Sequence, residues 1–403
     1  VKGEMIFKKI KICSLFSGIG GFETGIFNAI KKENCEVVFA SEIDKFASKA
    51  YELIYRHKPY GDITLIDEKE IPDHDLLIAG FPCQAFSVAG KRLGFEDTRG
   101  TLFFEIARIA REKKPKVLLL ENVKGLLSHR QGDTISTMIG ILSDIGYKVD
   151  YEILNSKYFG VAQNRERVII VAIREIEAEE WDLNKCHPIV KATKEKIKQM
   201  QDIQTFNFDY PKQIEVTKRI RDFLEEYVPE KYYMEEEKTH RLIEEIKSKI
   251  EETDFKEGDI HKIYDIPREI INDNERQRRL YGIEGISPTL LARSDTPKIL
   301  LVGYLDMKAG KQIRSVYDQD GLSPTIDTAQ GGHRQVKILL KPEYRIRKLT
   351  PLECFRLQGF PDEYYHILRE NKFSDTQLYK MTGNAVTTTK IEKVFEKVLA
   401  YLV

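Results

Sequence analysis

Cys83 is the first residue whose type and setting could do chemistry. It follows the apolar run Leu76–Ala79 and the turn-forming Gly80-Phe81-Pro82. The run predicts a buried strand, so we expect the cysteine at the carboxyl end of a sheet, where ligands bind in doubly wound folds. A cysteine there is either a nucleophile, if its thiolate is favoured, or a buried structural residue.

An acid and two arginines stand in comparable places. Glu121 ends the apolar run Val117–Leu120, and burial there would favour the neutral carboxyl that a general acid needs. Arg165 and Arg167 alternate before Val168–Ile173, so both would lie on one face and could hold a phosphate or a carbonyl oxygen. The alternatives are a helix cap or surface acid at Glu121 and a surface ion-pair cluster at the arginines.

A glycine-rich turn precedes these residues in the chain. The segment Phe16–Phe22 contains Gly18, Gly20 and Gly21 between a predicted strand and a predicted helix, and glycines let a ligand approach the backbone. Glu42 ends the next predicted strand, where a carboxylate could bind the two hydroxyls of a ribose. Asp62 could accept from an adenine amino group. The pattern indicates a nucleoside cofactor, with a plain βα turn as the alternative.

Strand and helix patterns alternate over the first 175 residues. This alternation predicts an α/β fold with a doubly wound, mostly parallel sheet. The predicted strands are Lys11–Phe16, Val37–Ser41, Leu76–Ala79, Val117–Glu121, Val149–Leu154 and Val168–Ile173, and the predicted helices are the segment to about Lys31, Lys45–Arg56, Leu102–Lys113 and Asp133–Asp144. Glu175–Lys198 looks irregular, whereas Val216–Tyr227, Glu235–Glu252, Arg347–Phe360 and Thr387–Leu402 have helical patterns.

An internal repeat occupies the region after residue 258. The run from Arg278 to Tyr281 leads to a Gly-Ile-Ser-Pro-Thr-Leu segment, and the run from Arg314 to Tyr317 leads to Gly-Leu-Ser-Pro-Thr-Ile. Each copy ends in an apolar run, Lys298–Val302 or Lys337–Leu340. Two copies are too few for a solenoid, so we expect duplicated turn units of a small second domain.

Composition narrows the possible classes of protein. The chain has 403 residues, 64 basic and 64 acidic, with 41% hydrophobic residues, as expected of a globular protein. Residues 222–257 are net acidic and residues 258–348 net basic, which is compatible with a face for a polyanion or with solvated helices. Five widely spaced cysteines argue against disulfides or a structural zinc site, and no apolar run would span a membrane. We expect a cytoplasmic protein.

In order and spacing, these segments resemble the C5-cytosine DNA methyltransferase family. Six segments carry the resemblance: Phe16–Phe22, Phe81–Gln84, Glu121–Val123, Gln163–Arg167, Arg347–Pro361 and Gly383–Val386. The resemblance implies an S-adenosylmethionine-dependent, Rossmann-like catalytic domain and a smaller target-recognition domain. The expected division is 1–178 for catalysis and cofactor, 179–345 for a helical connector and target recognition, and 346–403 for a segment that returns to the catalytic domain.

The family also implies roles for individual residues. Cys83 would attack C6 of a cytosine flipped out of double-stranded DNA, Glu121 would hydrogen-bond N3, and Arg165, supported by Arg167, would stabilise O2. No metal is expected. The expected S-adenosylmethionine-binding residues are Phe16, Gly18, Ile19, Gly20, Gly21, Glu42, Ile43, Asp62, Ile63, Pro82, Leu102, Asn384, Ala385 and Val386. The expected DNA-binding residues are Gln84, Ser87, Lys91, Arg92, Arg99, Arg278, Thr289, Arg293, Arg314, Thr325, Gln330, His333 and Arg334.

The resemblance further implies a monomer that protects DNA from a separately acting restriction endonuclease. Four other classes of protein share parts of this pattern. An amino-methyltransferase would carry an Asp/Asn-Pro-Pro-aromatic motif where this chain has Phe81-Pro82-Cys83. A tRNA cytosine methyltransferase shares the motifs, but the long region 176–345 favours duplex DNA. A catalytically inactive DNA-binding protein would not need Cys83, Glu121 and Arg165, and a nicotinamide dehydrogenase would have no use for the Pro-Cys and paired-arginine motifs.

Overall fold

The computed structural model describes residues 9–82, 102–200, 203–232 and 349–403, and the backbone of six short strands between residues 262 and 348. The strands are β1 Ile10–Leu15, β2 Cys35–Ser41, β3 Leu76–Gly80, β4 Val117–Val123, β5 Lys148–Asn155, β6 Glu166–Ile173, β7 Lys262–Asp265, β8 Arg279–Tyr281, β9 Leu301–Tyr304, β10 Ser315–Asp318, β11 Lys337–Leu340 and β12 Arg345–Lys348. The helices of this part are α1 Gly21–Ile30, α2 Lys45–Tyr55, α3 Leu102–Lys113, α4 Asp133–Asp144, α5 Pro188–Met200, α6 Pro351–Leu357, α7 Asp362–Glu370, α8 Asp375–Asn384 and α9 Thr388–Val398.

The first six strands form one sheet in the order β2-β1-β3-β4-β6-β5. Strand β1 pairs in parallel with β2 and β3, β3 pairs in parallel with β4, and β4 pairs antiparallel with β6. The chain therefore leaves β1 first toward β2 and later toward β3, so the strand order reverses between β1 and β3. In open α/β sheets ligands bind at such a switch point, outside the carboxyl ends of the strands. The predicted α/β class with a mostly parallel sheet is confirmed.

The core explains why these strands form. Residues Leu76–Ala79 of β3 and Val117–Leu120 of β4 are fully buried, as continuous apolar runs in a two-sided parallel sheet should be. Helix α3 packs Phe103, Ile106 and Ala110 into the same core cluster. Burial of this kind contributes about 1.5–3 kcal/mol for each large apolar side chain, and it fixes the strand ends that carry the polar residues described below.

The six later strands make two further sheets. Strands β12-β11-β10-β9 form one, in which β10 and β11 are parallel and the flanking pairs are antiparallel. Strands β7 and β8 form an antiparallel pair. The first runs of the two repeat copies thus become β8 and β10, which lie in different sheets, whereas the apolar ends contribute β9 and β11 to the same sheet.

Two compact units emerge from the contacts within the chain. The first comprises residues 1–154, 166–213 and 386–403, and the second comprises residues 155–165 and 214–385. These units are defined by contacts within the chain and not by function. The expected functional division into residues 1–178, 179–345 and 346–403 therefore stays a prediction.

Three secondary-structure predictions are wrong, and one falls outside the described residues. Glu175–Lys198, expected to be irregular, contains most of helix α5. Val216–Tyr227 is not an α-helix, because it contains only the 3-10 turn Ile220–Phe223. Arg347–Phe360 begins in β12 and becomes helical only at Pro351, where Thr350 and Glu353 form a capping box. The predicted helix Glu235–Glu252 lies outside the described residues. No helix of the described segments is long and apolar enough to cross a membrane.

Candidate active site

The glycine turn after β1 takes an unusual backbone conformation. Phe16, Gly18 and Gly20 have φ values of 54°, 56° and 78°, in the left-handed region that costs a non-glycine residue about 1–2 kcal/mol. A Cβ built on Gly20 would lie 2.1 Å from the ring of Tyr55, whereas nothing lies within 4 Å of a Cβ built on Gly18. Gly20 is therefore required for internal packing. The space beside Gly18 is not filled by atoms of the described residues, so a ligand could approach the backbone there.

Glu42 holds this turn from the end of β2. Its Oε2 accepts a 2.8 Å hydrogen bond from the Gly18 amide, and its Oε1 accepts a 2.8 Å bond from the Asp44 amide. Burial raises the pKa of Glu42, and these backbone hydrogen bonds partly offset the effect. Each carboxylate oxygen keeps a further lone pair for a ligand. The neighbouring Ile43 is 69% exposed, so an apolar surface lies beside the carboxylate.

Asp62 and Ile63 follow the short segment that pairs with the end of β2. Oδ1 of Asp62 accepts hydrogen bonds from the Thr64 amide at 3.0 Å and the Thr64 hydroxyl at 2.8 Å. Asp62 thereby caps the 3-10 turn Ile63–Leu65. The side chain of Ile63 is buried in the core, so any contact with a ligand would come from its backbone.

Val386 brings the C-terminal segment to the glycine turn. A Cβ on Gly21 would lie 2.8 Å from both the carbonyl oxygen and Cγ2 of Val386. A Cβ on Gly80, the last residue of β3, would lie 3.5 Å from Val386 and Phe22 and 4.0 Å from Oε2 of Glu121. The ends of β1, β3 and β4 therefore meet around Val386, and Gly21 is needed for this close approach.

Glu121 and Arg167 form an ion pair near the end of β4. Nε of Arg167 lies 3.2 Å from Oε1 of Glu121, and both side chains are largely buried. The two atoms are not aligned for a hydrogen bond, and Oε1 has no other hydrogen-bond partner among the described residues. Burial lowers the pKa of Arg167, and the neighbouring carboxylate partly offsets this. The pair offers a guanidinium and a carboxylate acceptor side by side.

Asn122 ties this pair to the segment that leads to Cys83. Its Nδ2 donates a 2.9 Å hydrogen bond to the carbonyl oxygen of Phe81, and Pro82 after it is exposed. Asn122 lies in the Glu121–Val123 segment that carries the family resemblance, but the sequence alone assigns it no role. Its position directly after Glu121, at the end of a wholly apolar strand, was the available signal.

Arg165 has a different setting, within the second unit. Its Nη2 donates to the carbonyl oxygens of Gly383 at 3.2 Å and Ala385 at 3.0 Å. The side chain is buried, with 3% of the residue exposed. Asn384, at the end of α8, is exposed, and Ala385 is buried. The arginine expected at the cytosine O2 thus binds backbone carbonyls of another motif, whereas its expected supporter, Arg167, contacts Glu121.

The remaining expected site residues divide into described and undescribed ones. Ile19 is buried, and Phe16 and Leu102 are half-buried. Cys83, Gln84, Ser87, Lys91, Arg92 and Arg99 lie outside the described residues, as do Arg278, Thr289, Arg293, Arg314, Thr325, Gln330, His333 and Arg334. Within the described part of the chain, no group of three or more histidine, cysteine or acidic residues could hold a metal ion.

The chain matches one protein family over nearly its whole length. The family model for C-5 cytosine-specific DNA methylase matches residues 10–400. The orphan methyltransferase M.SPRI of Bacillus phage SPR is 39% identical, with 97% of this chain and 98% of the relative covered. The type II methyltransferase M1.ScrFI of Lactococcus lactis subsp. cremoris is 34% identical, with 98% and 79% covered.

Solved structures show the same fold at lower identity. The S. pombe Dnmt2 methyltransferase has a TM-score of 0.60 and 19% identity, with 97% of this chain and 99% of that chain covered. A match of the family model to nearly the whole chain, together with full-length relatives above 30% identity, identifies the family. The chain belongs to the C-5 cytosine-specific DNA methylase family and is a DNA (cytosine-5-)-methyltransferase.

Proposed function

We propose that the enzyme flips a target cytosine out of duplex DNA and methylates C5 through a covalent bond between Cys83 and C6. The observation that carries this proposal is the Glu121–Arg167 pair, with an Oε1 that accepts no hydrogen bond from the described residues. The pair stands beside the Phe81-Pro82 segment, which leads directly to Cys83 in the sequence. A base must leave the stack to reach side chains held at the end of a buried strand.

The residues divide the chemistry among them. The Cys83 thiolate attacks C6 of the cytosine, which raises the electron density at C5. Glu121 takes up a proton when the base enters, donates a hydrogen bond from it to N3 and draws electrons out of the ring, and it keeps or regains that proton when the ring is restored. After methylation a base removes the C5 proton, and departure of the Cys83 sulfur from C6 restores the aromatic ring. The elimination returns the thiolate, so the protein ends each turnover unchanged.

We assign the contact with the cytosine O2 to Arg167 and not to Arg165, which reverses the roles expected from the sequence. The guanidinium of Arg167 lies 3.2 Å from the Glu121 carboxylate that would hold N3. N3 and O2 are neighbouring acceptor positions on one edge of cytosine, so the two residues that hold them should be adjacent. Nη2 of Arg165 already donates to Gly383 and Ala385.

The residues at the carboxyl ends of β1 and β2 fit S-adenosylmethionine. Gly18 leaves open space beside the turn, and Glu42 presents carboxylate oxygens next to the exposed Ile43. Glu42 would bind the ribose hydroxyls, Ile43 would contact the adenine, and Asp62 would accept from the adenine amino group. When bound, S-adenosylmethionine supplies an electrophilic methyl group. We propose that Val386, which lies against Gly21, completes this site.

We also propose that the enzyme acts as a monomer and protects host or phage DNA from a restriction endonuclease. The type II names of bacterial relatives support the protective role. DNA isolated from cells that express the enzyme should resist an endonuclease whose site contains the methylated cytosine. Complete digestion of DNA that is fully methylated at those sites would contradict protection.

The reaction itself can be tested on DNA and on the protein. Bisulfite sequencing should show methylcytosine at one short sequence after incubation with the purified enzyme and S-adenosylmethionine. A duplex carrying 5-fluorocytosine at that position should trap a covalent adduct, because fluorine cannot leave as a proton does. Peptide mapping should locate the adduct at Cys83, and Cys83→Ser should form none while still binding S-adenosylmethionine. An adduct on another residue would refute the assignment.

A further inference from the structure

The last turn of α8 exposes carbonyl groups that two buried side chains satisfy. Nε2 of Gln358 donates to the carbonyl oxygens of Thr382 at 2.7 Å and Ala385 at 3.4 Å. Nη2 of Arg165 donates to those of Gly383 and Ala385. The last carbonyls of a helix have no partner within the helix, so these two donors fix the conformation in which the chain leaves α8.

The end of helix α6 fixes the backbone position of Gln358. Gln358 directly follows α6, and its backbone amide donates to the carbonyl oxygens of Cys354 and Phe355. The next residue, Gly359, has a φ of 81°, which ends the helix in the left-handed conformation typical of a helix C-terminus. Gln358 is completely buried. A buried, neutral amide donor at a helix end is costly to leave without acceptors, so its placement against α8 is specific.

The segment that Gln358 holds leads directly into the proposed cofactor site. Ala385 is joined by one peptide bond to Val386, whose carbonyl oxygen lies 2.8 Å from where a Cβ of Gly21 would stand. The same residue lies 3.5 Å from the Cβ position of Gly80. Contacts this close leave Val386 little room, so the direction in which the chain departs from Ala385 affects the glycine turn.

We propose that Gln358 is a positioning residue for cofactor binding, because it fixes the carbonyls of Thr382 and Ala385 and thereby the segment that delivers Val386 to the glycine turn. The inference rests on the proposed binding of S-adenosylmethionine at that turn. Gln358 does not itself touch the cofactor in this proposal. Its effect is therefore expected on the affinity for S-adenosylmethionine and not on the rate of the chemical step.

Gln358→Leu tests the proposal, since leucine is similar in size and cannot donate. Isothermal titration of the full-length protein should show S-adenosylmethionine binding weakened by about fivefold to tenfold, the equivalent of one lost hydrogen-bond contribution. The KM for S-adenosylmethionine should rise by a similar factor, while kcat at saturating cofactor should change by less than about twofold. Gln358→Met, which is unbranched and of similar length, repeats the test if the leucine variant folds poorly.

Tyr379→Phe is the matched control. Tyr379 lies in α8, the helix whose last carbonyls accept from Gln358. Its side chain is buried, and its hydroxyl donates a hydrogen bond to the carbonyl oxygen of Leu349. Its loss should lower stability but leave the affinity for S-adenosylmethionine unchanged. Equal weakening in the control, or unaltered affinity in both Gln358 variants, would overturn the positioning role. If the unaltered protein does not bind S-adenosylmethionine, the proposed function itself fails, and this inference with it.

Discussion

The backbone amide of Gly18 donates a 2.8 Å hydrogen bond to Oε2 of Glu42. This bond joins the turn after β1 to the end of β2 and holds the open glycine beside the carboxylate expected to bind the ribose. The two other glycines of the turn face protein atoms, because Cβ atoms on Gly20 and Gly21 would meet Tyr55 and Val386. Gly18 therefore leaves space for a ligand, whereas Gly20 and Gly21 allow close internal packing. Alanine substitutions can separate these two purposes.

Gly18→Ala should weaken S-adenosylmethionine binding by about tenfold or more, because its methyl group would occupy the open side of the turn at an unfavourable φ. Its cost in unfolding free energy should be about 1–2 kcal/mol, from the left-handed backbone alone. Gly20→Ala should cost more, about 2–4 kcal/mol, because overpacking against Tyr55 adds to the backbone strain. Urea unfolding and calorimetric titration measure both quantities. Wild-type affinity in Gly18→Ala would remove this glycine from the cofactor site.

The two arginines of the motif at the start of β6, Arg165 and Arg167, should likewise be separable by substitution. Arg167→Met should lower kcat by about 10²-fold or more, the usual loss for one donor to a developing charge, and should leave S-adenosylmethionine affinity unchanged. Arg165→Met should lower stability by about 1.5–3 kcal/mol, because it removes buried hydrogen bonds to Gly383 and Ala385. Like the Gln358 variants, it should also weaken S-adenosylmethionine binding, but kcat at saturating cofactor should stay within about twofold of the wild type. Single-turnover kinetics and urea unfolding of both variants decide the assignment. A catalytic loss confined to Arg165→Met would restore the roles expected from the sequence.

The exchange of roles that we propose for Arg165 and Arg167 rests on contacts that the sequence does not reveal. Alternation in a strand indicates that Arg165 and Arg167 share a face, but Arg165 precedes β6 and lies in the loop that follows β5. Only Arg167 belongs to the strand, where it pairs with Val123 of β4 beside Glu121. Which partner each guanidinium meets depends on Gly383 and Ala385, more than 200 residues away in the chain. No local pattern contains that information.

Helices were predicted well where their buried face is apolar and poorly where it is not. Leu102–Lys113 and Asp133–Asp144 are helices with the predicted bounds. Helix α5 was missed because its buried positions are Val190, Lys194 and Ile197, so a lysine interrupts the apolar period. Lys194 is buried because it pairs with Asp150 at 2.6 Å and lies over the rings of Tyr151 and Trp181.

The segment Val216–Tyr227 shows the opposite error. Its spacing of apolar residues suits a helix, but its backbone groups are engaged by distant side chains. Arg356 donates to the carbonyl oxygens of Phe223 and Leu224, and the amide of Glu225 donates to Glu353. These tertiary hydrogen bonds replace those of a helix, and tertiary context of this kind commonly overrides local propensity.

Glu121→Gln should slow methyl transfer by about 10²-fold or more, since general acid help typically contributes 10²–10⁴-fold. The amide keeps the shape of the side chain and can still approach N3, but it cannot transfer a proton. Covalent trapping by 5-fluorocytosine should slow in parallel, because the attack of Cys83 depends on the activated ring. Burst kinetics with saturating S-adenosylmethionine measure the step directly. Turnover within about threefold of the wild type would show that Glu121 has another role.

Glu23→Gln should change the dependence of stability on pH. Glu23 is completely buried in α1 beside Ser14 and Tyr51, and burial raises its pKa more than its hydrogen bonds lower it. Between the unfolded value, about 4.3, and the higher folded value, the folded protein binds more protons than the unfolded chain. The free energy of unfolding contributed by this group is therefore retained at pH values below about 4.3 and lost as the pH rises toward the folded pKa.

Glutamine keeps the acceptor for the Tyr51 hydroxyl, which lies 2.9 Å from Oε1 of Glu23, and it has no proton to lose. The stability of Glu23→Gln relative to wild type should thus be smallest near pH 4 and grow with pH, by at most about 1.4 kcal/mol per pH unit within the titration window. Urea unfolding of both proteins from about pH 4 to pH 8 gives this difference, and groups common to both cancel. Tyr51→Phe, which removes the hydroxyl that donates to Glu23, should raise the folded pKa of Glu23 further and extend the loss of stability to higher pH. A difference between Glu23→Gln and wild type that stays constant over this range would mean that Glu23 does not titrate differently in the folded protein.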